Sequence, residues 1–184
     1  MKLVILDRDG VINEDSDDYI KSVEEWIPIP GSVEAIAALS SAGYTIVVAT
    51  NQSGIARKYF DEYELAAMHQ KMCALVEGAG GQISGVFFCP HGPDDGCECR
   101  KPGLGLIKQI ETEFGTSVEG TPFVGDTAKD ILVAKLAGCH PVLVKTGKGV
   151  ATLAEINSTE LAGVEIFDSL KDFADSLLQN ETPS

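Results

Sequence analysis

The chain has few basic side chains and no long hydrophobic run. Its 184 residues include 14 Lys and Arg against 28 Asp and Glu, which gives a formal net charge of -14. Nucleic-acid backbones attract surplus Lys and Arg, so this deficit argues against a general nucleic-acid binder. No stretch has the apolar length of a membrane span, and the N-terminal apolar residues reach Asp7 too soon for a signal peptide. We therefore predict a cytoplasmic protein that binds neither nucleic acid nor membrane.

Length and composition limit the number of domains. Hydrophobic residues make up 44% of the chain, with 19 glycines, which is typical of an ordinary globular α/β protein. A chain of 184 residues can fill one core but is too short for two comfortable domains. Because the sequence contains no repeat, linker or low-complexity segment, we predict a single domain over residues 1–184 and expect a monomer.

Predicted strands alternate with predicted helices along the chain. Short branched apolar runs indicate strands, and amphipathic segments bounded by glycine or proline indicate helices. The predicted strands are residues 2–6, 44–49, 86–88, 122–125, 141–144 and 165–166. The predicted helices are residues 32–42, 61–78, 103–114, 128–137 and 170–178, and the tail beyond is expected to fray. The second helix is expected to bury an apolar stripe of Leu65, Met68, Met72 and Leu75.

This alternation predicts a Rossmann-like, doubly wound parallel sheet in a three-layer α/β/α arrangement. Ligands of such sheets bind beyond the carboxyl ends of the strands, where the strand order reverses. Polar residues fall at those ends, since Asp7 follows the first strand, Thr50 the second and Asp126 the fourth. The gaps after the first two strands hold only loops and one helix each, so no cap domain is expected.

The first strand ends in the motif Asp7-Arg8-Asp9-Gly10. A carboxylate can attack phosphorus and form an acyl phosphate, which divides a hard hydrolysis into two easier displacements. A second carboxylate nearby can protonate the leaving oxygen and then deprotonate the attacking water. Gly10 would let the chain turn sharply and expose its amides to phosphate. Alone, the same motif is equally typical of a turn or a calcium site.

Two more acids, Asp126 and Asp130, follow the fourth predicted strand. Four carboxylates around one point repel one another strongly unless a cation binds among them. Mg²⁺ prefers oxygen ligands and can also bind substrate phosphate, so a magnesium site is predicted here. The alternative for Asp126 is a helix N-cap, which often follows a strand.

The loop after the second strand reads Thr50-Asn51-Gln52-Ser53. A hydroxyl and adjacent amides at a strand exit suit a phosphate oxygen, although such sequences are also common in turns and caps. Arg100-Lys101 is a basic pair within an acidic chain. The lysine could neutralise a transferring phosphoryl group, and the arginine could bind a second phosphate. The alternative is two solvated cations at a helix start, which the helix dipole disfavours.

Four residues around position 95 could form a metal site, since Cys89, His91, Cys97 and Cys99 bracket a Gly/Pro/Asp-rich loop. Three thiolates and an imidazole make a closed tetrahedral set, which is appropriate to structural Zn²⁺. The alternative is ordinary reduced thiols. Zinc would order the short loop that carries Arg100 and Lys101. The remaining cysteines, Cys73 and Cys139, have apolar neighbours and are predicted in the core.

Together these motifs resemble the haloacid dehalogenase-like (HAD) phosphatase superfamily over nearly the whole chain. They occur in its order: Asp7-x-Asp9, Thr50, Lys101 and Gly125-Asp126-x-x-x-Asp130.

The resemblance implies specific roles for these residues. It implies Asp7 as nucleophile and Asp9 as general acid/base, with Thr50 and Lys101 on the transferring phosphate. It also implies Mg²⁺ held by Asp7, the Asp9 carbonyl and Asp126. The presence of Asp9 favours a phosphatase over a dehalogenase.

Within that superfamily, the cysteine-rich segment is similar to that of the D-glycero-D-manno-heptose 1,7-bisphosphate 7-phosphatase family. This implies removal of the C7 phosphate of a small phosphorylated sugar in lipopolysaccharide-core or nucleotide-heptose precursor synthesis. The family's substrate-contacting loop corresponds to Asp15–Tyr19, where this chain differs in residues and is one residue longer. Histidinol-phosphate phosphatases share the four motifs and the zinc loop and are the alternative.

Three further alternatives stay open from the sequence. The fold could be a catalytically silent binding module, since a fold does not guarantee chemistry. The same intermediate could be passed to an alcohol, which would make the chain a phosphotransferase. A phosphorylated DNA end could enter an open site, but the acidic balance and the absence of a basic groove count against it.

Overall fold

The structure, a computed structural model, describes residues 1–181. Six parallel strands form one sheet in the order β3-β2-β1-β4-β5-β6. The strands are β1 (Leu3–Leu6), β2 (Thr45–Asn51), β3 (Gly85–Cys89), β4 (Pro122–Gly125), β5 (His140–Val144) and β6 (Glu165–Phe167). The helices are α1 (Ser32–Ser41), α2 (Glu62–Gly78), α3 (Gly105–Phe114), α4 (Ala128–Leu136), α5 (Gly149–Glu155), α6 (Ser158–Leu161) and α7 (Leu170–Glu181).

The predicted doubly wound α/β sheet is confirmed. Every predicted strand and helix is present, and all bounds agree to within three residues. The short helices α5 and α6 were not predicted, because they lack an apolar stripe: α5 buries only Gly149 and Thr152, and α6 buries no residue. The expectation of a frayed tail falls partly on residues 182–184, which lie outside the described residues. Among the helices within residues 1–181, none has the length and hydropathy needed to cross a membrane.

The strand order reverses between β1 and β4. The chain runs from β1 outward to β2 and β3, then returns to the other side of β1 to form β4, β5 and β6. β1 pairs with β4 through Ile5 opposite Phe123 and Leu6 opposite Val124. The amide of Asp7 extends this pairing by donating to the carbonyl of Val124, at 2.9 Å. The carboxyl ends of β1 and β4 therefore lie side by side at the reversal, where such folds bind ligands.

The hydrophobic core consists of two layers, one on each face of the sheet. Side chains of a strand alternate between faces, so Val4 and Leu6 of β1 belong to one layer and Leu3 and Ile5 to the other. Helices α1, α2 and α7 cover the first layer, and α3 and α4 cover the second. The buried sheet fixes the backbone directions from which the polar strand ends emerge.

One predicted core position on α2 is wrong. The helix buries Leu65, Met68, Met72 and Val76, whereas Leu75 is 39% exposed. A spacing of three and four residues keeps a stripe on one helix face, and Val76 continues that spacing from Met72. Leu75 also keeps that spacing, three residues after Met72, but lies at the edge of the stripe and is partly exposed.

The start of α2 gives a stability prediction. Asp61 is the N-cap, and its carboxylate accepts a hydrogen bond from the amide of Glu64 at 2.8 Å. We expect Asp61→Ala to lower the free energy of unfolding by about 1 kcal/mol, because the amide loses its partner. Urea denaturation measures this change. Asp61→Asn keeps a capping oxygen and is the control, so equal losses in both variants would contradict the capping argument.

Candidate active site

A cavity of about 260 Å³ opens at the carboxyl ends of β1, β2 and β4. It brings together all twelve predicted catalytic, phosphate-binding, loop and carboxylate residues: Asp7, Asp9, Asp15, Tyr19, Thr50, Asn51, Gln52, Ser53, Arg100, Lys101, Asp126 and Asp130. Its wall also contains six residues that the sequence analysis did not select: Ser16, Asp17, Ile20, Thr127, Lys129 and Lys148.

Asp7 directly follows β1 and is surrounded by charged side chains. Its Oδ1 accepts a hydrogen bond from the amide of Arg8 at 2.8 Å and pairs with the ammonium of Lys101 at 3.0 Å. Burial raises the pKa of Asp7 well above its usual value, and the neighbouring carboxylates of Asp130 and Asp126 raise it further, while Lys101 opposes them. An ionised Asp7 therefore needs more positive charge than Lys101 supplies.

Asp9 has a different set of partners. Oδ1 accepts from the Arg8 guanidinium, at 3.0 Å from Nε and 2.7 Å from Nη2, and from Nδ2 of Asn13 at 2.9 Å. Oδ2 accepts from Nε2 of Gln52 at 3.1 Å. Burial works against the charge, but the guanidinium and these hydrogen bonds hold the pKa of Asp9 below its usual value. The two carboxylates of the motif are thus tuned in opposite directions.

Lys101 is a buried cation, only 3% exposed, so the alternative of a solvated helix-start cation is wrong for this residue. Its ammonium donates to Oδ1 of Asp130 at 2.7 Å and to the carbonyl of Ala49 at 2.9 Å, besides pairing with Asp7. Burial opposes its charge, but Asp130 and Asp7 raise the pKa of Lys101 above its usual value. Asn51 fixes the backbone of Lys101 by accepting from its amide and donating to its carbonyl, at 2.9 and 3.2 Å.

The N-cap of α4 is Thr127 and not Asp126. Thr127 forms a capping box with Asp130, whose Oδ2 accepts from the hydroxyl of Thr127 at 3.0 Å. The amides of Asp126 and Thr127 lie 3.2 and 3.3 Å from the same oxygen. Since its other oxygen binds Lys101, Asp130 has both oxygens committed to protein groups and acts as a support.

Asp126 is free to bind a cation. Its Oδ2 accepts from the amide of Lys148 at 2.9 Å, whereas its buried Oδ1 has no hydrogen-bond partner within residues 1–181. Burial and, next in size, the charge of Asp130 raise the pKa of Asp126 to about 7. Oxygens of Asp7, Asp126 and Asp130 lie within 4.8 Å of one another. An unpartnered buried oxygen beside a second carboxylate fits a divalent cation with a preference for oxygen ligands.

The loop after β2 supplies buried polar groups beside Asp7 and Asp9. Thr50 is 1% exposed, and its hydroxyl accepts from Nε2 of Gln52 at 3.0 Å. Gln52 and Ser53 are also buried, and the amide of Gln52 donates to the carbonyl of Cys89 at 2.8 Å. The loop is therefore tied to the start of the cysteine-rich segment.

The predicted zinc ligands converge on one point. Cys89 Sγ lies 2.9 Å from Cys99 Sγ and 3.6 Å from Cys97 Sγ, and His91 Nδ1 lies 3.2 Å from Cys99 Sγ. One ligand atom from each of the four side chains falls within a common 4.8 Å. Arg100 and Lys101 follow Cys99 directly, so this cluster sits at the base of the segment that carries them.

The loop between β1 and α1 lines the outer side of the cavity through Asp15 and Tyr19. Helix α2 anchors this loop: Glu64 accepts from the amide of Val23 at 3.0 Å. Lys71 donates to the carbonyls of Val23 and Trp26, at 2.8 and 2.6 Å. Helix α2 therefore holds the backbone of this loop at Val23 and Trp26.

Tyr19 has a left-handed backbone, with φ of 67°, and its ring lies 5.2 Å from that of Tyr59, centroid to centroid. The Arg57 guanidinium lies 5.7 Å from the Tyr19 ring, so the loops after β1 and β2 meet over the cavity.

Two cations on the cavity wall were not predicted from the sequence. Lys129 lies inside the Gly125–Asp130 motif, and its position in the sequence could have indicated that it lies near the site. Lys148 lies between two glycines beyond the carboxyl end of β5. Burial lowers the pKa of Lys129, and the nearby charges of Arg100 and Lys148 lower it further. Lys148 pairs with Asp15 at 3.5 Å. These residues add positive charge to one side of the cavity.

Comparisons with known proteins agree on one family. A family model described as HAD-hydrolase-like matches residues 98–173. D-glycero-beta-D-manno-heptose-1,7-bisphosphate 7-phosphatase of Pseudomonas aeruginosa is 56% identical over 177 residues, covering 96% of this chain and 98% of that protein. The protein of the same name from Pseudomonas putida is 54% identical over 179 residues, covering 97% and 100%.

A solved structure extends this likeness to the fold. The crystal structure of D,D-heptose 1,7-bisphosphate phosphatase from B. bronchiseptica, complexed with magnesium and phosphate, has a TM-score of 0.92. It is 48% identical to this chain and covers 98% of it and 99% of its own chain.

Fold, carboxylates and buried lysine together define a HAD-like phosphomonoester hydrolase, as the sequence predicted. Within that class, the chain belongs to the D-glycero-D-manno-heptose-1,7-bisphosphate 7-phosphatase family.

Gly10 provides a test of how closely β1 and β4 are joined at the site. Gly10 has φ of 84°, and an added Cβ would overlap Oδ2 of Asp126. We expect Gly10→Ala to lower phosphatase kcat/KM by about 100-fold, because Asp126 must move. Gly43→Ala is the matched control, since Gly43 has φ of 97° with no atom near its missing Cβ. Equal activity of the two variants would show that the overlap is harmless.

Proposed function

We propose that this enzyme hydrolyses the C7 phosphate of D-glycero-β-D-manno-heptose 1,7-bisphosphate with Mg²⁺ and leaves the anomeric phosphate in place. The observation that carries this proposal is the cavity in which Asp7, Asp9, Lys101 and Asp126 converge. The printed names of the relatives support both the heptose bisphosphate and the β anomer. The product would serve lipopolysaccharide-core or nucleotide-heptose synthesis.

The first step transfers the phosphoryl group to Asp7. A carboxylate oxygen of Asp7 forms a bond to phosphorus as the bond from phosphorus to the C7 oxygen breaks. Asp9 gives its proton to that oxygen, so the sugar leaves as a neutral alcohol. The contact of Asp7 Oδ1 with Lys101 and with the Arg8 amide orients the nucleophile.

The second step returns Asp7 to its carboxylate form. Asp9, now ionised, removes a proton from water, and the water oxygen attacks phosphorus and displaces Asp7. The environment that holds the pKa of Asp9 low suits this ionised form. A second alcohol could replace water in this step, which is how the phosphotransferase alternative would operate.

Positive charge around the transferring group is divided between the protein and the metal. Lys101 is buried between Asp7 and Asp130 and would offset the developing charge on the phosphoryl oxygens. The hydroxyl of Thr50 and the amide of Ser53 would donate to the same oxygens. Mg²⁺ would be held by Asp7, the Asp9 carbonyl and Asp126, where it offsets the charge of the carboxylates and the substrate phosphate.

Unpaired cations favour a substrate with two phosphates. No carboxylate of residues 1–181 forms an ion pair with Arg100 or Lys129, although the chain has 28 acidic residues. Both line the cavity, with Lys148 nearby, so a second phosphate would be attracted there. Histidinol phosphate has a single phosphate and a cationic amine, which these side chains would repel. Asp15 and Tyr19 are proposed to contact the sugar between the two phosphates.

A phosphate-release panel with Mg²⁺ tests the function. The substrates are both anomers of the heptose bisphosphate, histidinol phosphate, fructose 1,6-bisphosphate and a phosphorylated DNA end. We expect the β anomer to give the highest kcat/KM, and Asp7→Asn to lower its kcat by at least about 1,000-fold. Preference for histidinol phosphate would overturn the substrate while leaving the mechanism. Absence of release from every substrate by a folded protein would favour the silent binding module.

We also propose that Cys89, His91, Cys97 and Cys99 hold a structural Zn²⁺. Three thiolates and one imidazole leave no open position for catalysis, so the metal would act by holding the loop that presents Arg100 and Lys101. All five cysteines are free of disulfides, which is consistent with the predicted cytoplasmic location. The monomeric state stays a prediction from the sequence.

Replacing one ligand tests the zinc proposal. We expect Cys99→Ser to lower zinc content from about one ion per chain towards zero, and kcat/KM by at least about tenfold, because the loop loses its clamp. Elemental analysis and phosphate release measure the two effects. Cys73→Ser is the control, since Cys73 is a half-buried thiol on α2 outside the cluster. Wild-type protein purified without zinc but fully active would contradict the proposal.

A further inference from the structure

Arg8 lies between the two acids of the first motif and has no assigned role. Its side chain is 0% exposed and takes no part in the cavity wall. A buried guanidinium is costly unless its donors are satisfied, and it never loses its proton in a protein. The partners of Arg8 therefore show what this residue accomplishes.

The guanidinium of Arg8 has three partners. Nε and Nη2 donate to the same oxygen of Asp9, Oδ1, at 3.0 and 2.7 Å. Nη2 also lies 3.4 Å from Oε1 of Gln52, and Nη1 lies 3.2 Å from Nε2 of His69. Gln52 and Asp9 also contact each other, because Nε2 of Gln52 donates to Oδ2 of Asp9. Arg8 and Gln52 thus hold both carboxylate oxygens of Asp9.

The contact with Arg8 determines the state of His69. Since the guanidinium can only donate, Nε2 of His69 must accept, and the ring proton must reside on Nδ1. Burial and, to a smaller extent, the Arg8 charge lower the pKa of His69 to about 3 against the opposing charge of Asp9, so the ring is neutral. The ring comes from α2 and lies 6.2 Å from that of Phe88, centroid to centroid.

The two oxygens of Asp9 are bound unequally. Oδ1 receives three donors, two from Arg8 and one from Asn13, whereas Oδ2 receives only Nε2 of Gln52. A carboxylate oxygen with three donors has no lone pair left for a proton. The transferable proton of Asp9 must therefore sit on Oδ2.

We propose that Arg8 and His69 are positioning residues: Arg8 fixes Asp9 so that Oδ2 carries the transferable proton, and neutral His69 fixes Arg8 by accepting a hydrogen bond from its Nη1. This inference rests on the proposed role of Asp9 as general acid/base. Neither Arg8 nor His69 exchanges a proton. The proton passes from Oδ2 of Asp9 to the leaving oxygen, and the next comes from water to the same oxygen.

Leaving-group chemistry separates positioning from ordinary packing. An alkyl phosphate needs a proton on its leaving oxygen, whereas p-nitrophenyl phosphate leaves as a stable phenolate without one. Misplaced Asp9 should therefore slow phosphorylation of Asp7 by the sugar phosphate and spare phosphorylation by the aryl phosphate. Attack of water on the phosphorylated enzyme should be slowed with both.

The variants are Arg8→Met, His69→Leu and His69→Gln, in which the Gln oxygen can replace Nε2 as acceptor. Arg8→Met should lower kcat for the sugar bisphosphate by about 10- to 100-fold with KM changed by less than about threefold. The rapid release of p-nitrophenolate should stay within about threefold of wild type and be followed by accumulation of phosphorylated Asp7.

His69→Leu should lose about tenfold in kcat, and His69→Gln should recover most of it. His140→Gln, at a histidine paired with Glu165 on the surface, is the control.

Three outcomes would overturn the inference. If p-nitrophenolate release falls as far as sugar turnover in the folded variants, Arg8 supports packing alone. If Arg8→Met does not fold, the variants His69→Leu and His69→Gln decide the question. Full activity in both of them refutes the positioning role. The imidazole ¹⁵N shifts of wild-type His69 should show a neutral ring protonated on Nδ1 down to about pH 5. This measurement does not depend on enzyme activity. A wild-type protein that releases no phosphate would refute the proposed function. A protonated His69 ring, or a neutral ring with its proton on Nε2, would refute the present inference.

Discussion

Repulsion among four carboxylates at the ends of β1 and β4 is the constraint on which the site depends. The register of these two strands brings Asp7 and Asp126 together at the point where the strand order reverses. Like charges so close are tolerated only when each is neutralised or hydrogen-bonded. Lys101 lies between Asp7 and Asp130 and supplies one positive charge to the two of them, and Arg8 pairs with Asp9. Among these four acids, Asp126 has a fully buried oxygen without a hydrogen-bond partner, which is the position a divalent cation would satisfy.

The same pairing divides the acids by function. Asp130 has both oxygens committed to Lys101 and to the N-terminus of α4, so it links a helix to the cation beside the nucleophile. Asp9 has its charge balanced by a residue of its own motif, so its state is less dependent on the metal than that of Asp7. Two independent cations thus allow one acid to be a nucleophile and its neighbour to exchange protons.

Most of the fold and the main carboxylates could be predicted from the sequence, because they depend on local patterns. Short apolar runs ending in Asp7, Thr50 and Asp126 indicate strands whose carboxyl ends share an edge. The contacts of Arg8 could not be predicted, since His69 is 61 residues away in the chain and meets it only through the packing of α2. The N-cap of α4 was ambiguous because Asp126 and Thr127 are both good caps; in the structure Thr127 caps the helix, and an oxygen of Asp126 is left without a partner.

Anchoring of the outer loop to α2 separates recognition from chemistry. Glu64 and Lys71 hold that loop by its backbone at Val23 and Trp26, whereas the nucleophile and its cation are held by the sheet. A backbone attachment is indifferent to the side chains and length of the segment before it. Evolution can therefore exchange loop residues such as Tyr19, and so change the alcohol that is accepted, while the backbone attachment that places the loop is kept. Related enzymes with new specificities can arise from this scaffold by replacing a single short loop.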